Sequence, residues 1–329
     1  VATINEIAEM AEVSRSTVSR VLNDSGYVSN EARERVEKVI SDTGYRPSEH
    51  AKSLRTKKTK VIGVIVPTIR TETTSRLVAG MDHELSSIGY QILLANTNLD
   101  KLKEIEYVQL LKVRQVDGII LVATNVNEEL VKQLNKLEVP IVVIGQEIDS
   151  FCNVLYDDYQ AARDITEYLI EKGHKRISFI GVDESDHAVG YLRKKAFLNV
   201  MKEQKLPIEQ AWVTKGIFDI HSGYSAMEQI LTRSKQLPTA LFAVTDRLAL
   251  GAMQYLKEKH YRVPEDMAII GIGASEVSEH VTPPLTTMDY QNEVAGQEAA
   301  KLMLDQLSKK EHACKKKLLS YRLLKRGSV

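Results

Sequence analysis

The sequence predicts an N-terminal all-α helix-turn-helix head, a short hinge helix, and an α/β body of two lobes built on parallel sheets. Three observations carry that expectation. The first 47 residues hold short amphipathic segments, with capping residues ahead of them and no strand-length apolar run. From Lys60 onward, apolar runs of strand length alternate with amphipathic helical segments, the pattern of a parallel sheet covered on both faces. That alternation runs through twice, implying two similar lobes, and 329 residues are enough for a head and a two-part core.

In the head, Thr3 and Glu6 form a capping box for a first helix. Ser14 is an N-cap for a second, in which Arg15, Ser16, Ser19 and Arg20 are exposed while Val18, Val21 and Leu22 point inward. Short hydrogen-bonding side chains at the start of an exposed helix suit the reading of base edges in a DNA major groove. Ser29 caps a third helix over about residues 30–43, with Ala32, Val36, Val39 and Ile40 as its apolar stripe and Gly44 as its stop. Residues 48–55 read as one more short helix, capped by Ser48 and too short to hold alone. Lys52, Arg55, Lys57, Lys58 and Lys60 crowd the end of this region, where phosphate contact is the better reading of such a run.

In the body, strands are expected at 61–66, 91–95, 118–123 and 139–144, with helices near 75–88, 101–114 and 127–137. The second set places strands near 176–181, 211–214, 240–244 and 268–272 among helices near 158–172, 188–204, 221–233 and 247–259. A crossover follows at 286–290, then a helix over about 292–307 and a Lys-flanked strand over about 316–324. Two such lobes place a ligand cleft at the carboxyl ends of their strands.

Composition narrows the function classes. Lysine plus arginine and aspartate plus glutamate number 44 each, so no global positive field announces nucleic acid. Residues 1–60, however, carry 11 basic side chains against 9 acidic ones. Cys152 and Cys314 lie far apart in sequence and form no metal-ligand spacing, implying a reduced cytoplasmic protein without structural zinc. The longest apolar runs are strand-length, with no signal-peptide pattern and no membrane span. No phosphate-loop or nucleophile-elbow motif occurs, Gly271-x-Gly273 lacks the third glycine of a dinucleotide fingerprint, and His83, His174 and His280 are isolated. These absences argue against an enzyme, and no cofactor is expected.

The head motif Ile7-Ala8-x-x-Ala11-x-Val13-Ser14-x-x-Thr17-Val18-Ser19-Arg20-Val21-Leu22-Asn23 resembles that of the lactose-repressor family of bacterial transcription regulators. So do Gly44-Tyr45-x-Pro47, Val116-Asp117-Gly118-Ile119-Ile120, Gly173-His174-x-x-Ile177, Thr245-Asp246-x-x-Ala249-Leu250-Gly251 and Pro284-Leu285-Thr286-Thr287. The likeness runs from residue 3 to about 327. It implies homodimers, or dimers of dimers, with bodies similar to periplasmic sugar-binding proteins and heads that read a palindromic double-stranded operator. On that resemblance residues 1–47 are the DNA-binding domain and 48–59 the hinge helix and linker. Residues 60–157 and 289–316 then make the N-terminal lobe, and 158–288 with 317–329 the C-terminal lobe.

The resemblance further implies that Thr3, Ser14, Arg15, Ser16, Thr17, Ser19, Arg20 and Asn23 contact DNA. In the hinge it implies the same of Ser48, Ala51, Leu54 and Arg55, with Leu54 wedging into the minor groove beside its twin. One departure concerns Glu12, which stands where the family places Gly in the turn between the first two helices. Held at positive φ, it costs on the order of 1 kcal/mol.

For the cleft, Arg70 and Glu72 are expected near the start of a helix whose free N–H groups suit an anion. Gln146 and Glu147 follow the fourth strand, where polar groups suit sugar hydroxyls. By similarity Arg193 is the clamping arginine, its planar fork suited to vicinal hydroxyls or a carboxylate, with Asp186 and His187 just ahead of it. Phe218 is the aromatic platform, Thr245 and Asp246 lie at the next strand end, and Gly273 stands where the family has Asp. Gly145-Gln146-Glu147, residues 157–161 and Asp186-x-x-Val189-Gly190-x-x-Arg193-Lys194 are similar to the sucrose and trehalose regulators of the family. The resemblance therefore points to a repressor of a sugar-utilisation operon controlled by a disaccharide or its 6-phosphate. The alternative is a catabolite-control regulator governed by a phosphocarrier protein.

Overall fold

The computed structural model describes residues 2–45, 58–308 and 314–329. The chain divides into a head, residues 1–59, and a body, residues 60–329.

In the head, α1 (Ile4–Met10), α2 (Arg15–Leu22) and α3 (Asn30–Thr43) begin at the caps that the sequence offers. Thr3 and Glu6 close their capping box, and Ser14 and Ser29 each accept an amide of the first turn. Gly44 ends α3 in the left-handed conformation. Glu12 sits in the α1–α2 turn at φ 53°, so the strain anticipated there is present. Ile7, Ala8, Ala11, Val18, Val21 and Val36 form the small core. An Arg33–Asp24 ion pair at 2.9 Å joins α3 to the loop before it.

The body holds two six-stranded sheets. The first comprises β1 (Val61–Val66), β2 (Gln91–Asn96), β3 (Gly118–Val122), β4 (Ile141–Ile144), β5 (Cys152–Tyr156) and β11 (Lys316–Leu319). Its order is β11-β5-β4-β3-β1-β2, parallel throughout. The second comprises β6 (Ile177–Gly181), β7 (Val213–Lys215), β8 (Ala240–Ala243), β9 (Ala268–Ile272), β10 (Thr286–Asp289) and β12 (Arg322–Leu324). Its order is β12-β10-β9-β8-β6-β7, with β12 alone antiparallel. Core strands such as β3 and β9 are buried at every residue, as a sheet covered on both faces requires.

Helices α4 (Glu72–Ser86), α5 (Lys101–Val113), α6 (Glu128–Leu134) and α12 (Asn292–Ser308) accompany the first sheet. Helices α7 (Asp158–Glu171), α8 (Arg193–Glu203), α9 (Ile220–Arg233), α10 (Asp246–Glu258) and α11 (Glu276–His280) belong with the second. A π-helical turn over His187–Leu192 leads into α8. Glycine fixes the closest helix contact. A Cβ on Gly80 of α4 would lie 2.0 Å from the Glu293 carbonyl oxygen of α12, and one on Gly296 would lie 2.0 Å from that of Leu77.

Two expectations change here. Residues 316–324 are not one strand: β11 joins the first sheet, β12 joins the second, and Ser320-Tyr321 passes between them. A lobe boundary at 316/317 therefore falls inside β11, which carries first-lobe pairing through Leu319. The 286–290 crossover contains β10, and β5 is a strand that the alternation did not announce. Among the described residues no helix is long and apolar enough to cross a membrane.

Candidate functional site: an exposed helix face and an interlobe cleft

The first turn of α2 is an array of small hydroxyls. Ser14 Oγ accepts the Thr17 amide at 3.1 Å and lies 2.7 Å from Ser16 Oγ and 2.9 Å from Thr17 Oγ1. Arg15, Ser16 and Arg20 are exposed, and Ser19 is half-buried beside them. Thr3 and Asn23 serve the fold directly: Thr3 is the N-cap of α1, and Asn23 Nδ2 donates to the Ser19 carbonyl at 2.6 Å. Tyr27, not among the residues expected to meet DNA, is 86% exposed in the α2–α3 loop. Ser48, Ala51, Leu54 and Arg55 lie outside the described residues.

In the body, the two halves repeat one strand order, β2-β1-β3-β4-β5 in the first and β7-β6-β8-β9-β10 in the second. Such sheets bind ligands beyond the carboxyl ends of their strands. There the lobes enclose a cavity of about 240 Å³. Glu72, Gln146, Asp186, Arg193, Phe218, Thr245, Asp246 and Gly273 all line it, drawn together from both lobes.

Arg193 is the most heavily constrained of these. Its Nε and Nη2 donate to Asp158 Oδ1 at 2.7 and 2.6 Å, and Nη1 donates to the Val244 carbonyl at 2.5 Å. The guanidinium lies 5.1 Å from the centre of the Tyr290 ring, whose hydroxyl donates to the same Asp158 oxygen at 3.1 Å. Burial opposes the arginine charge, and Tyr290, Asp158 and Asp186 more than offset it. Asp158, read only as part of the 157–161 pattern, also lines the cavity, and so do Tyr290, Tyr156 and Asn292, which were not expected there although Tyr290 follows an apolar strand segment.

Asp246 accepts from Thr287 Oγ1 at 2.5 Å, from the Ser275 amide at 2.8 Å and from Ser275 Oγ at 3.0 Å. Burial still pushes its carboxyl above the ordinary range. Thr245 caps α10 by accepting the Leu248 amide. Gly273, at φ 143°, offers its carbonyl to Arg76 at 3.4 Å, and a Cβ there would approach the Asp246 carboxylate to 3.4 Å.

Contacts bridge the lobes around the cavity. Gln146 Nε2 donates to Asp186 Oδ1 at 2.8 Å, and burial raises the Asp186 carboxyl. The Glu72 carboxylate accepts the Glu276 amide at 2.8 Å, and Lys101 Nζ donates to Ser185 Oγ at 2.7 Å. Arg247 Nη1 donates to the Arg70 carbonyl at 3.3 Å.

Three expected ligand residues lie off the lining. Arg70 is exposed and meets the other lobe through its carbonyl, because the chain turns at Thr71, the α4 N-cap, before the side chain can enter. Glu147 is exposed and pairs with Lys316. His187 is exposed and stacks on Tyr191, since it begins the π-helical turn that Asp186 caps from inside.

A two-lobed ligand-binding body behind a helix-turn-helix head defines a class, the effector-responsive transcription regulators. The comparisons agree. Residues 3–48 match the bacterial regulatory proteins of the lacI family, and residues 166–329 match a periplasmic binding protein-like domain. A transcriptional repressor PurR from Haemophilus influenzae is 33% identical over 94% of this chain and 92% of its own length. One from Photorhabdus laumondii is 33% identical over 100% and 97%. The lac repressor dimer bound to operator superimposes with a TM-score of 0.89 at 25% identity, covering 99% of this chain and 98% of the repressor. The CelR–cellobiose complex gives 0.75 at 29% identity with full coverage of both chains. The chain belongs to the lacI family of DNA-binding transcriptional repressors and is not an enzyme. The two relatives named here carry the PurR name rather than that of a sucrose or trehalose regulator.

Proposed function

We propose that the chain represses a sugar-utilisation operon as a homodimer on a palindromic operator, released or held by a small uncharged sugar closed between the lobes. The observation that carries the ligand class is the charge of the cavity wall. Glu72, Asp158, Asp186 and Asp246 stand against Arg193 and Arg247, and Arg193 already spends two donors on Asp158. A phosphorylated sugar finds no surplus positive charge there, and the arginine expected to attract one, Arg70, lies outside. A volume of about 240 Å³ lies below the roughly 300–1,000 Å³ of common ligand pockets, which favours one sugar ring over two linked ones. Phe218 supplies a face for the ring's C–H groups. The PurR relatives favour a second reading, a purine stacked on that same phenyl face.

The operator is obtained by selection from random duplexes and then titrated in the presence of monosaccharides, disaccharides, their 6-phosphates, hypoxanthine and guanine. A neutral monosaccharide should change operator affinity at least tenfold while its 6-phosphate leaves it unchanged. A response confined to the phosphate, or to a phosphorylated carrier protein added instead, sinks the reading. A response confined to the bases selects the second.

A further inference from the structure

We propose that the open edge of β7 is a docking strand for an extended acidic peptide of a partner protein. A strand at the rim of a sheet keeps every second backbone group unpaired and is a template for another chain. Strand β7 ends the second sheet, and among the described residues no strand lies beyond it. It pairs with β6 in parallel, Val213 opposite Phe179 and Lys215 opposite Gly181. The ladder continues through the Gly216 amide, which donates to the Gly181 carbonyl at 2.9 Å. Backbone groups alternate in direction along a strand, so Thr214 and Gly216 turn theirs to β6 while Val213 and Lys215 turn theirs outward. The Val213 amide is taken by the Gln210 carbonyl, in the 3-10 turn Gln210–Trp212 that leads into the strand. The Lys215 amide and the carbonyls of Val213 and Lys215 are left for an added strand.

The edge opens onto a groove of about 870 Å³ lined by all three residues of β7. It shares no lining residue with the interlobe cavity. Side chains alternate across the strand. Val213 shares a face with Phe179, which stacks on Phe197 of α8 at 5.0 Å. Thr214 points the other way, toward α9, which contributes Gln229 and Arg233 to the groove. A strand laid beside β7 therefore presents every second side chain to each helix. Among the described residues Thr214 Oγ1 is the one buried side-chain oxygen or nitrogen without a hydrogen-bond partner. A change of rotamer would give it an acceptor on the added strand.

Charge selects the occupant. Every carboxylate in the groove is engaged: Asp183 pairs with Lys215 at 3.0 Å, and Glu184 pairs with Lys194 at 2.6 Å. Glu209 accepts the amides of Lys235 and Gln236, both at 3.0 Å. Arg233 and Lys235 are exposed and have no carboxylate partner among the described residues. Trp212 Nε1 donates to the Gln236 carbonyl at 2.8 Å, which ties the Lys235 segment to the start of β7. The surplus cations therefore stand at the α9 side of the strand, where alternate side chains of an added peptide fall. Acidic residues at those alternate positions complete both the ladder and the charge.

The test titrates the full-length protein into a fluorescein-labelled hexapeptide of alternating valine and glutamate and reads anisotropy. The peptide should bind, more weakly as salt rises, and its valine–lysine counterpart should bind at least tenfold more weakly. Methylating one alternate set of its amide nitrogens should abolish binding, and methylating the other set should leave it, since only one edge of an added strand faces β7. Lys215→Pro removes an outward N–H that β6 does not use, a substitution that an edge strand tolerates. It should cost at least tenfold in peptide affinity while the melting temperature and operator affinity stay native. The Arg233→Glu, Lys235→Glu double variant should do the same. No binding by the acidic peptide, equal binding by the basic one, or equal sensitivity to the two methylation patterns would each overturn the proposal. Native affinity in a folded Lys215→Pro variant would do so too, and if that variant fails to fold the methylated peptides decide.

Discussion

Arg193 and Asp158 are 5% and 3% exposed, and neither has water to fall back on. Removing one leaves the other as a buried charge, a loss of about 3–5 kcal/mol, whereas replacing both with apolar residues of similar size is nearly neutral. Arg193→Ala should therefore lower the melting temperature of the body by on the order of 10 °C. The R193M/D158L pair should recover most of that in a thermal melt while abolishing ligand response. If the pair melts as low as R193A, the ion pair is not what couples these positions. Glu104 presents the opposite case. It is 1% exposed on α5, bonded to Thr124 at 3.4 Å and to Asn125, and burial raises its carboxyl to about 7. Since its folded value exceeds the ordinary 4.5, the folded state binds the proton more tightly than the unfolded one. Its contribution is complete below about pH 4.5 and is lost as pH rises through 7, up to about 3 kcal/mol. Glu104→Gln should flatten stability against pH across that window and match or exceed the native protein at pH 7.5. A native profile with no downward slope there refutes the assignment.

At the level of elements, the α4–α12 contact depends on two glycines, Gly80 and Gly296, where the carbonyl oxygens of Glu293 and Leu77 take the space a Cβ would fill. Gly296→Ala should force these helices apart, lowering the denaturant midpoint by the equivalent of about 1–3 kcal/mol or more. An unchanged midpoint would mean that the helices slide without cost. Both helices were expected from the sequence but their pairing was not: periodicity marks an apolar face and names nothing across it. Strand β5 went unread for a local reason. No helix separates it from β4, and its second residue is the polar Asn153. That side chain is fully buried because it accepts the Ile148 amide and donates to the carbonyls of Ile148 and Phe151, satisfying the loop that replaces the helix. The split of 316–324 was hidden likewise, since an apolar run carries no mark of the sheet it joins. Cap residues gave the clearest signal. Thr3, Ser14 and Ser29 act within three residues of themselves, and their hydrogen bonds follow directly from chain order.

Over the whole molecule, the parts of the cleft that were legible are those set by strand ends, such as Gln146 and Asp246. Arg70, Glu147 and His187 missed the lining because the direction of a side chain on a loop depends on the turn that follows. A tyrosine cluster between the lobes was invisible for a related reason: Tyr156, Tyr290 and Tyr321 come from three distant crossovers and meet only in space. Tyr156 stacks on Tyr290 at 4.7 Å, and Tyr290 tilts onto Tyr321 at 6.3 Å. Among the described residues, one surface of the body is apolar and exposed. Edge strand β2 exposes Leu93 and Leu94, and α5 beside it exposes Leu102 and Val113 at 77% each and Leu110 at 43%. An open edge flanked by an apolar stripe is a liability for a monomer and an asset for a symmetric dimer, the assembly in which the lac repressor was solved. L102D/V113D places two charges on that stripe without touching the core. In sedimentation the native protein should run as a dimer and the variant as a monomer. Because two heads on one palindrome gain affinity from being linked, the variant should also lose at least a hundredfold in operator binding while its isolated body keeps its melting temperature. A dimeric variant would move the interface elsewhere on the body.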